Sequence, residues 1–387
     1  MTFDEIERLT IEQLRAIGNS KWVTFPDAIG SFIAESDYGT APAVLETVQR
    51  RVTDASFGYS TLAERAEVGQ ALARFTADRY DWVIDPAQVG VLPEVLTSLE
   101  LTLEHFAEPG PVVVPTPAYM PFFQVLRDHG REIIEVPLVR SSATWVLDTE
   151  AIERAFVGGA KLLLLVNPAN PTGTVFGRDE LLPIVDIVDR HGGRVWADEI
   201  HAPIVFDGKQ HVPYASLSNA AAAHTVTATS ASKGWNIAGL KTSQVVFTNP
   251  DDARRWRDVG RWPAHTTASL GILATIAAYD QGRDWLDQLV THLQGNRDLL
   301  TRLVADLLPR ARLVPAEATY LAWLDLREYG VSGSLQSYLL REAGVAGTDG
   351  LHCGRDFAGY YRLNFATPRA ILTETVERIA RALPRAA

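Results

Sequence analysis

The run SASKGWNIAGLK, residues 230–241, sets Lys233 behind two serines and ahead of a glycine, and a second lysine, Lys241, closes it. Two other polar clusters stand in comparable places. VNPANPTG (166–173) follows the apolar run KLLLL, and ADEIH (197–201) ends the run RVW. SASK itself follows TVTAT. Ligands of open α/β sheets collect beyond the carboxyl ends of the strands, so Lys233, Asp198 and Asn170 at three such ends can converge on one molecule. A lysine amine that sheds its proton attacks an aldehyde. A buried carboxylate keeps an aromatic ring nitrogen protonated, so that the ring can draw electrons. An asparagine amide can donate to a phenolic oxygen. Hydroxyls, backbone amides and a cation hold a phosphate. Pyridoxal phosphate needs all of these. Ser230, Ser232 and Lys241 can serve its phosphate. So can the turn VGVLPEVLTSLE (89–100), where Gly90 permits close approach and Pro93 suits the first turn of an anion-attracting helix.

Each cluster has a blander reading. Asn170 lies among turn formers, and His201 could be a structural histidine. Tyr119, between prolines, could be core packing. Tyr59 could make a local aromatic contact, and Lys241 could be an ordinary solvated lysine. Arg362 could pair with a nearby acid. Cys353, flanked by Gly350, His352 and Gly354, reads as a small buried residue rather than a reactive thiol.

The elements that must position these residues alternate along the middle of the chain. PVVVP (111–115), EIIEVPL (132–138), KLLLLVNP (161–168), RVWADE (194–199), TVTATS (225–230) and SQVVFTN (243–249) read as strands, separated by helices or loops. That alternation predicts an α/β fold with a mainly parallel sheet covered on both faces. The last third differs. A long helical stretch over about 267–308 is followed by a strand at 319–326, a helix, a strand at 360–366 and a final helix, an α+β pattern. The expected organisation is a large domain over 46–275 and a smaller one built from 1–45 and 276–387.

A chain of 387 residues exceeds a typical single core, and its net charge of −11 argues against nucleic acid as the main partner. One cysteine excludes an internal disulfide and suits a reducing compartment. There is no zinc pattern, so no metal is expected. The acidic, amphipathic start lacks the features of a signal peptide, and no apolar run is long enough to span a bilayer. A cytoplasmic protein is the expectation.

The segments NPANPTG, ADEIH and SASKGWNIAGLK resemble the fold-type I pyridoxal phosphate enzymes, the class I/II aminotransferase superfamily. SKxxxxxGxK follows that family's lysine signature, with Lys241 where many members carry arginine. Residues 21–44, FGYST (57–61), AYMPFF (118–123), 284–300, TYLAWLDLR (319–327) and YYRLNFATPR (360–369) resemble the branch of cystathionine β-lyases and C–S lyases. Two departures stand out. The branch's Val-Ala-Asp-Met-Asp-Phe is here Ile33-Ala34-Glu35-Ser36-Asp37-Tyr38, near the active-site entrance, and Ala318 replaces the glycine common before the threonine.

The resemblance implies roles. Lys233 carries the cofactor aldehyde and shuttles a proton; Asp198 pairs with the ring nitrogen. Asn170 meets the 3-hydroxyl, His201 lies close to the ring, and Tyr119 stacks on its face. Gly90, Val91, Ser230, Ser232 and Lys241 hold the phosphate. Tyr59 reaches it from the neighbouring subunit of a homodimer, and Arg362 clamps the substrate carboxylate. The implied reaction is α,β-elimination from L-cystathionine or a related S-substituted cysteine, giving thiol, pyruvate and ammonia. An aminotransferase uses the same residues and is the alternative; a non-catalytic regulatory protein on this fold is the alternative from another class.

Overall fold

The structure, a computed structural model, describes residues 1–141 and 143–384. Seven strands form one sheet in the spatial order Val89–Leu92, Ser243–Phe247, Thr225–Thr229, Arg194–Asp198, Leu162–Val166, Val112–Thr116, Ile133–Pro137. From Thr225–Thr229 onward every pairing is parallel. Ser243–Phe247 runs antiparallel to both of its neighbours. The sheet is therefore mainly parallel, as expected.

Burial on both faces explains the unbroken apolar run at 162–165. Leu162 and Leu164 pack with Val112, Val114 and Trp196 on one face. Leu163 and Leu165 pack with Val113, Val195 and Ala197 on the other. Each such side chain contributes about 1.5–3 kcal/mol on leaving water, so the strand has no polar edge to offer until its carboxyl end.

A second, four-stranded antiparallel sheet has the order Arg312–Leu313, Leu321–Asp325, Tyr360–Asn364, Thr348–Asp349. Its core joins residues of the helices Arg283–Leu307 and Arg369–Ala382, and Ile6 and Tyr38 from the N-terminal segment. The N-terminal segment is tied in by Ile29–Gly30, which pairs in parallel with Val345–Ala346.

Two expectations need correction. The helical stretch over 267–308 is two helices, Ser269–Gln281 and Arg283–Leu307, parted at Gly282. A Cβ there would lie 2.5 Å from Trp235 Nε1, and the Gly282 carbonyl accepts that indole N–H at 2.9 Å. The first part of the turn expected at 89–100 is instead an edge strand, Val89–Leu92; the helix expected after it follows at Val95–Leu101.

Candidate active site

Lys233 lies in the short helix Ala231–Gly234, directly beyond the strand Thr225–Thr229. Ser230 starts that helix: its hydroxyl accepts the Ser232 N–H at 3.0 Å and donates its one proton to the Thr242 carbonyl at 2.7 Å. The Lys233 Nζ donates to the Ala34 carbonyl at 2.9 Å, and the Tyr320 hydroxyl donates to the same oxygen at 3.0 Å. Burial, then the nearby Arg362 cation, pulls the Lys233 amine down to about 8. A lysine so placed loses its proton far more readily than one in water.

Asp198 ends the strand Arg194–Asp198 and is buried, its carboxylate accepting the Ile200 N–H at 3.1 Å. Burial raises its carboxyl to about 7; Glu199 adds to the rise, while the Ile200 amide and Lys233 oppose it. His201 is also buried. Burial, with the Lys233 and Arg362 charges, holds its imidazole down at about 3, and its Nδ1 has no partner. This histidine is neutral at any physiological pH.

Arg362 comes from the second sheet, in the strand Tyr360–Asn364. It is 2% exposed, yet no carboxylate pairs with it among the described residues. One terminal nitrogen donates to Asn170 Oδ1 at 3.1 Å and the other to the Phe32 carbonyl at 2.6 Å, while Nε has no partner. A buried guanidinium without a counter-ion is costly, and an arriving carboxylate relieves that cost with a forked pair. Because Asn170 accepts through Oδ1, its amide protons stay free to donate.

The segment 32–36 crosses this site with each carbonyl held by a side chain. Arg362 takes Phe32, Asn364 takes Ile33 at 2.7 Å and Glu35 at 2.6 Å, Lys233 and Tyr320 take Ala34, and Asn236 takes Ser36 at 2.8 Å. Behind it lies a buried ion pair, Lys21 to Asp37 at 2.8 Å. The altered residues Glu35 and Ser36 are part of this fastening: Glu35 accepts the Lys21 backbone N–H at 3.1 Å and the Ser36 hydroxyl accepts that of Tyr38 at 3.1 Å.

The other expected site residues divide. Tyr119 is half-buried, its hydroxyl pushed up by burial, and its ring meets Phe122 edge-on at 5.3 Å. Ser232 is half-buried and makes no side-chain hydrogen bond among the described residues. Lys241 adopts φ +50°, and its ammonium contacts Glu94. Tyr59 is 85% exposed, 5.2 Å from the His265 ring, and touches none of the groups above.

Gly90 and Val91 come from a strand rather than from a turn. Both lie inside the edge strand, opposite Val245 and Gln244. A Cβ on Gly90 would come within 2.5 Å of the Trp256 ring, so this glycine makes room for an indole. Val91 packs with Val68 and Ile272. Ser230, through its bond to the Thr242 carbonyl, also braces the two loops against each other.

Pyridoxal phosphate fits the groups that the chain leaves unsatisfied. The unpaired His201 nitrogen and the free Asn170 amide suit a phenolic oxygen. A carboxyl as reluctant to ionise as Asp198 gains most from a protonated ring nitrogen. The Lys233 amine is ready for an aldehyde. Sequence reasoning missed the Ala34 carbonyl and Tyr320, which reach Lys233 only through the fold, and missed that Asn236 and Asn364 fasten the segment carrying that carbonyl. It also missed Glu94.

The sequence model for aminotransferase class I and II matches residues 32–379. The chain belongs to this family. It is 35% identical over 375 residues to the cystathionine beta-lyase of Corynebacterium glutamicum, covering 96% of this chain and 99% of that one. A provisional PLP-dependent beta-cystathionase of Corynebacterium diphtheriae superposes with a TM-score of 0.92 at 39% identity, over 97% of this chain and 98% of the other. Cystalysin of Treponema denticola, whose crystals contain pyridoxal 5'-phosphate, superposes with a TM-score of 0.90 at 26% identity, over 99% of both chains.

Proposed function

We propose that this protein is a pyridoxal phosphate-dependent C–S β-lyase that converts L-cystathionine or a related S-substituted cysteine and water to a thiol, pyruvate and ammonia. The observation that carries the reading is a lysine amine lowered to about 8 beside a buried arginine that has no counter-ion among the described residues. That pairing suits an α-amino acid, whose carboxylate and α-proton must be handled together. Full-length similarity to a cystathionine beta-lyase supports the lyase within the family.

When bound, the cofactor supplies an electron-poor ring that stabilises negative charge at the substrate α-carbon. Lys233 would take the α-proton on Nζ, and the Ala34 carbonyl would steady the resulting ammonium. Asp198 would accept the ring N–H. Asn170 Nδ2 and His201 would face the phenolic oxygen, and Tyr119 the ring. The Gly90 and Val91 amides, Ser230, Ser232 and Lys241 would face the phosphate. Arg362 would exchange its internal contacts for the substrate carboxylate. Departure of the thiolate breaks the Cβ–S bond, and the electrons left by the α-proton form the carbon–carbon double bond.

We further propose a homodimer in which Tyr59 serves the neighbouring subunit's phosphate. Its exposure and its distance from its own site favour this role. The same proposal divides the chain at 46–275 against 1–45 with 276–387, and places it in the cytoplasm, where a lone buried Cys353 stays reduced. Among the described residues no helix is long and apolar enough to cross a membrane.

Lys233→Ala tests the reading. Acid–base groups contribute about a hundred- to ten-thousandfold, so thiol release should fall at least that far while the fold is retained. Thiol release within a few-fold of the parent would overturn it.

A further inference from the structure

Lys241 closes the SASKGWNIAGLK run with its side chain turned to an acid. Its ammonium is held by the Glu94 carboxylate. The pairing follows from strand register. Leu92 lies opposite Ser243 in the antiparallel ladder. That pair closes the ladder; Glu94, two residues beyond Leu92, caps the next helix, and Lys241, two before Ser243, turns through φ +50° to meet it. Local bonds fix the same end: Ser243 Oγ donates to the Leu92 carbonyl at 3.2 Å, and Ser230 Oγ donates to the Thr242 carbonyl. Glu94 makes no other hydrogen bond among the described residues, and its side chain is 44% exposed. Its charge reaches inward too, raising the proton affinity of both Lys233 and Tyr119.

We propose that Glu94 competes with the cofactor phosphate for Lys241 and so sets how tightly the cofactor is held. The proposal rests on the reading that Lys241 faces that phosphate. A dianionic phosphate brings more charge to the ammonium than one carboxylate, and therefore displaces it. It must still approach a residue of like sign. Lysine suits the exchange. An ammonium turns freely between two acceptors, whereas a guanidinium fork would be locked to one. Glu94 is thus an affinity-setting residue, acting through Lys241 rather than on the reacting atoms.

The experiment compares cofactor binding by the full-length chain, stripped of cofactor, with its Glu94→Gln and Lys241→Ala variants. Pyridoxal phosphate and phosphate-free pyridoxal are titrated by absorbance at low and high salt. Glu94→Gln should bind pyridoxal phosphate roughly tenfold more tightly at low salt, with a smaller gain at high salt because the pair is exposed. Pyridoxal, which reports only the change at the Lys233 amine, should gain clearly less than pyridoxal phosphate; an equal gain for both overturns the competition. Lys241→Ala should weaken pyridoxal phosphate alone. Unchanged or weaker binding by Glu94→Gln, with the Lys241 effect present, overturns the competition and leaves Lys241 at the phosphate. A Lys241→Ala variant that binds pyridoxal phosphate normally overturns the placement of Lys241, and the proposal with it.

Discussion

Asp198 shows how a single residue trades stability for function. Its ordinary value of 3.8 is raised to about 7 by burial. Between those pH values the unfolded chain ionises this carboxyl and the folded chain does not. Folded stability therefore falls as pH rises through that window, and the full cost is present above about 7. Asp198→Asn should stabilise the cofactor-free chain at pH 8 by about 2–4 kcal/mol and leave it unchanged at pH 4. Denaturant melts at the two pH values measure this, and an equal shift at both would contradict it. The same variant should lose activity, since the ring nitrogen loses the negative charge that keeps it protonated. Lys233 has the opposite sign: its amine falls from 10.5 to about 8, so the neutral form gains. Cofactor capture by the stripped chain should rise with pH through about 8. A rise centred near 10.5 would mean that the amine is not desolvated.

At the scale of elements, what could be read from the sequence follows from how locally each signal is written. The strand at 162–166 is a run of apolar residues and needs no partner to be recognised. The edge strand Val89–Leu92 contains a glycine and precedes a proline, both turn signals, and only pairing with Ser243–Phe247 makes it a strand. The packing reason for Gly90 is equally hidden, because the Trp256 ring comes from a helix distant in sequence. The break at Gly282 is likewise tertiary: it gives way to Trp235, two residues after Lys233. Gly282→Ala should cost about 1–3 kcal/mol by overpacking that indole, measured by chemical denaturation, and a neutral result would remove Trp235 as the cause of the break. Lys233, Asp198, Asn170 and Arg362 sit in compact motifs and were visible. The Ala34 carbonyl carries no side-chain signal, and Glu94 becomes meaningful only through strand register.

At the scale of the whole molecule, the two sheets divide the chemistry. The large sheet presents Lys233, Asp198 and Asn170 at strand ends, and the smaller one delivers Arg362, with segment 32–36 fastened between them. Phe57, Tyr59 and Trp262 are 62%, 85% and 74% exposed, an apolar surface of the sort that associates. If Tyr59 serves the neighbouring subunit, refolding a mixture of Tyr59→Phe and Lys233→Ala chains yields hybrids with one intact site. Activity above that of either parent is expected, and a simple average of the two would place Tyr59 outside the shared site. The most direct test of the whole account is to supply cofactor-loaded protein with L-cystathionine and follow thiol, pyruvate and ammonia together, with a parallel reaction containing 2-oxoglutarate. The account predicts the three products in equal amounts and no dependence on 2-oxoglutarate. Glutamate formed without thiol would contradict it and make the protein an aminotransferase.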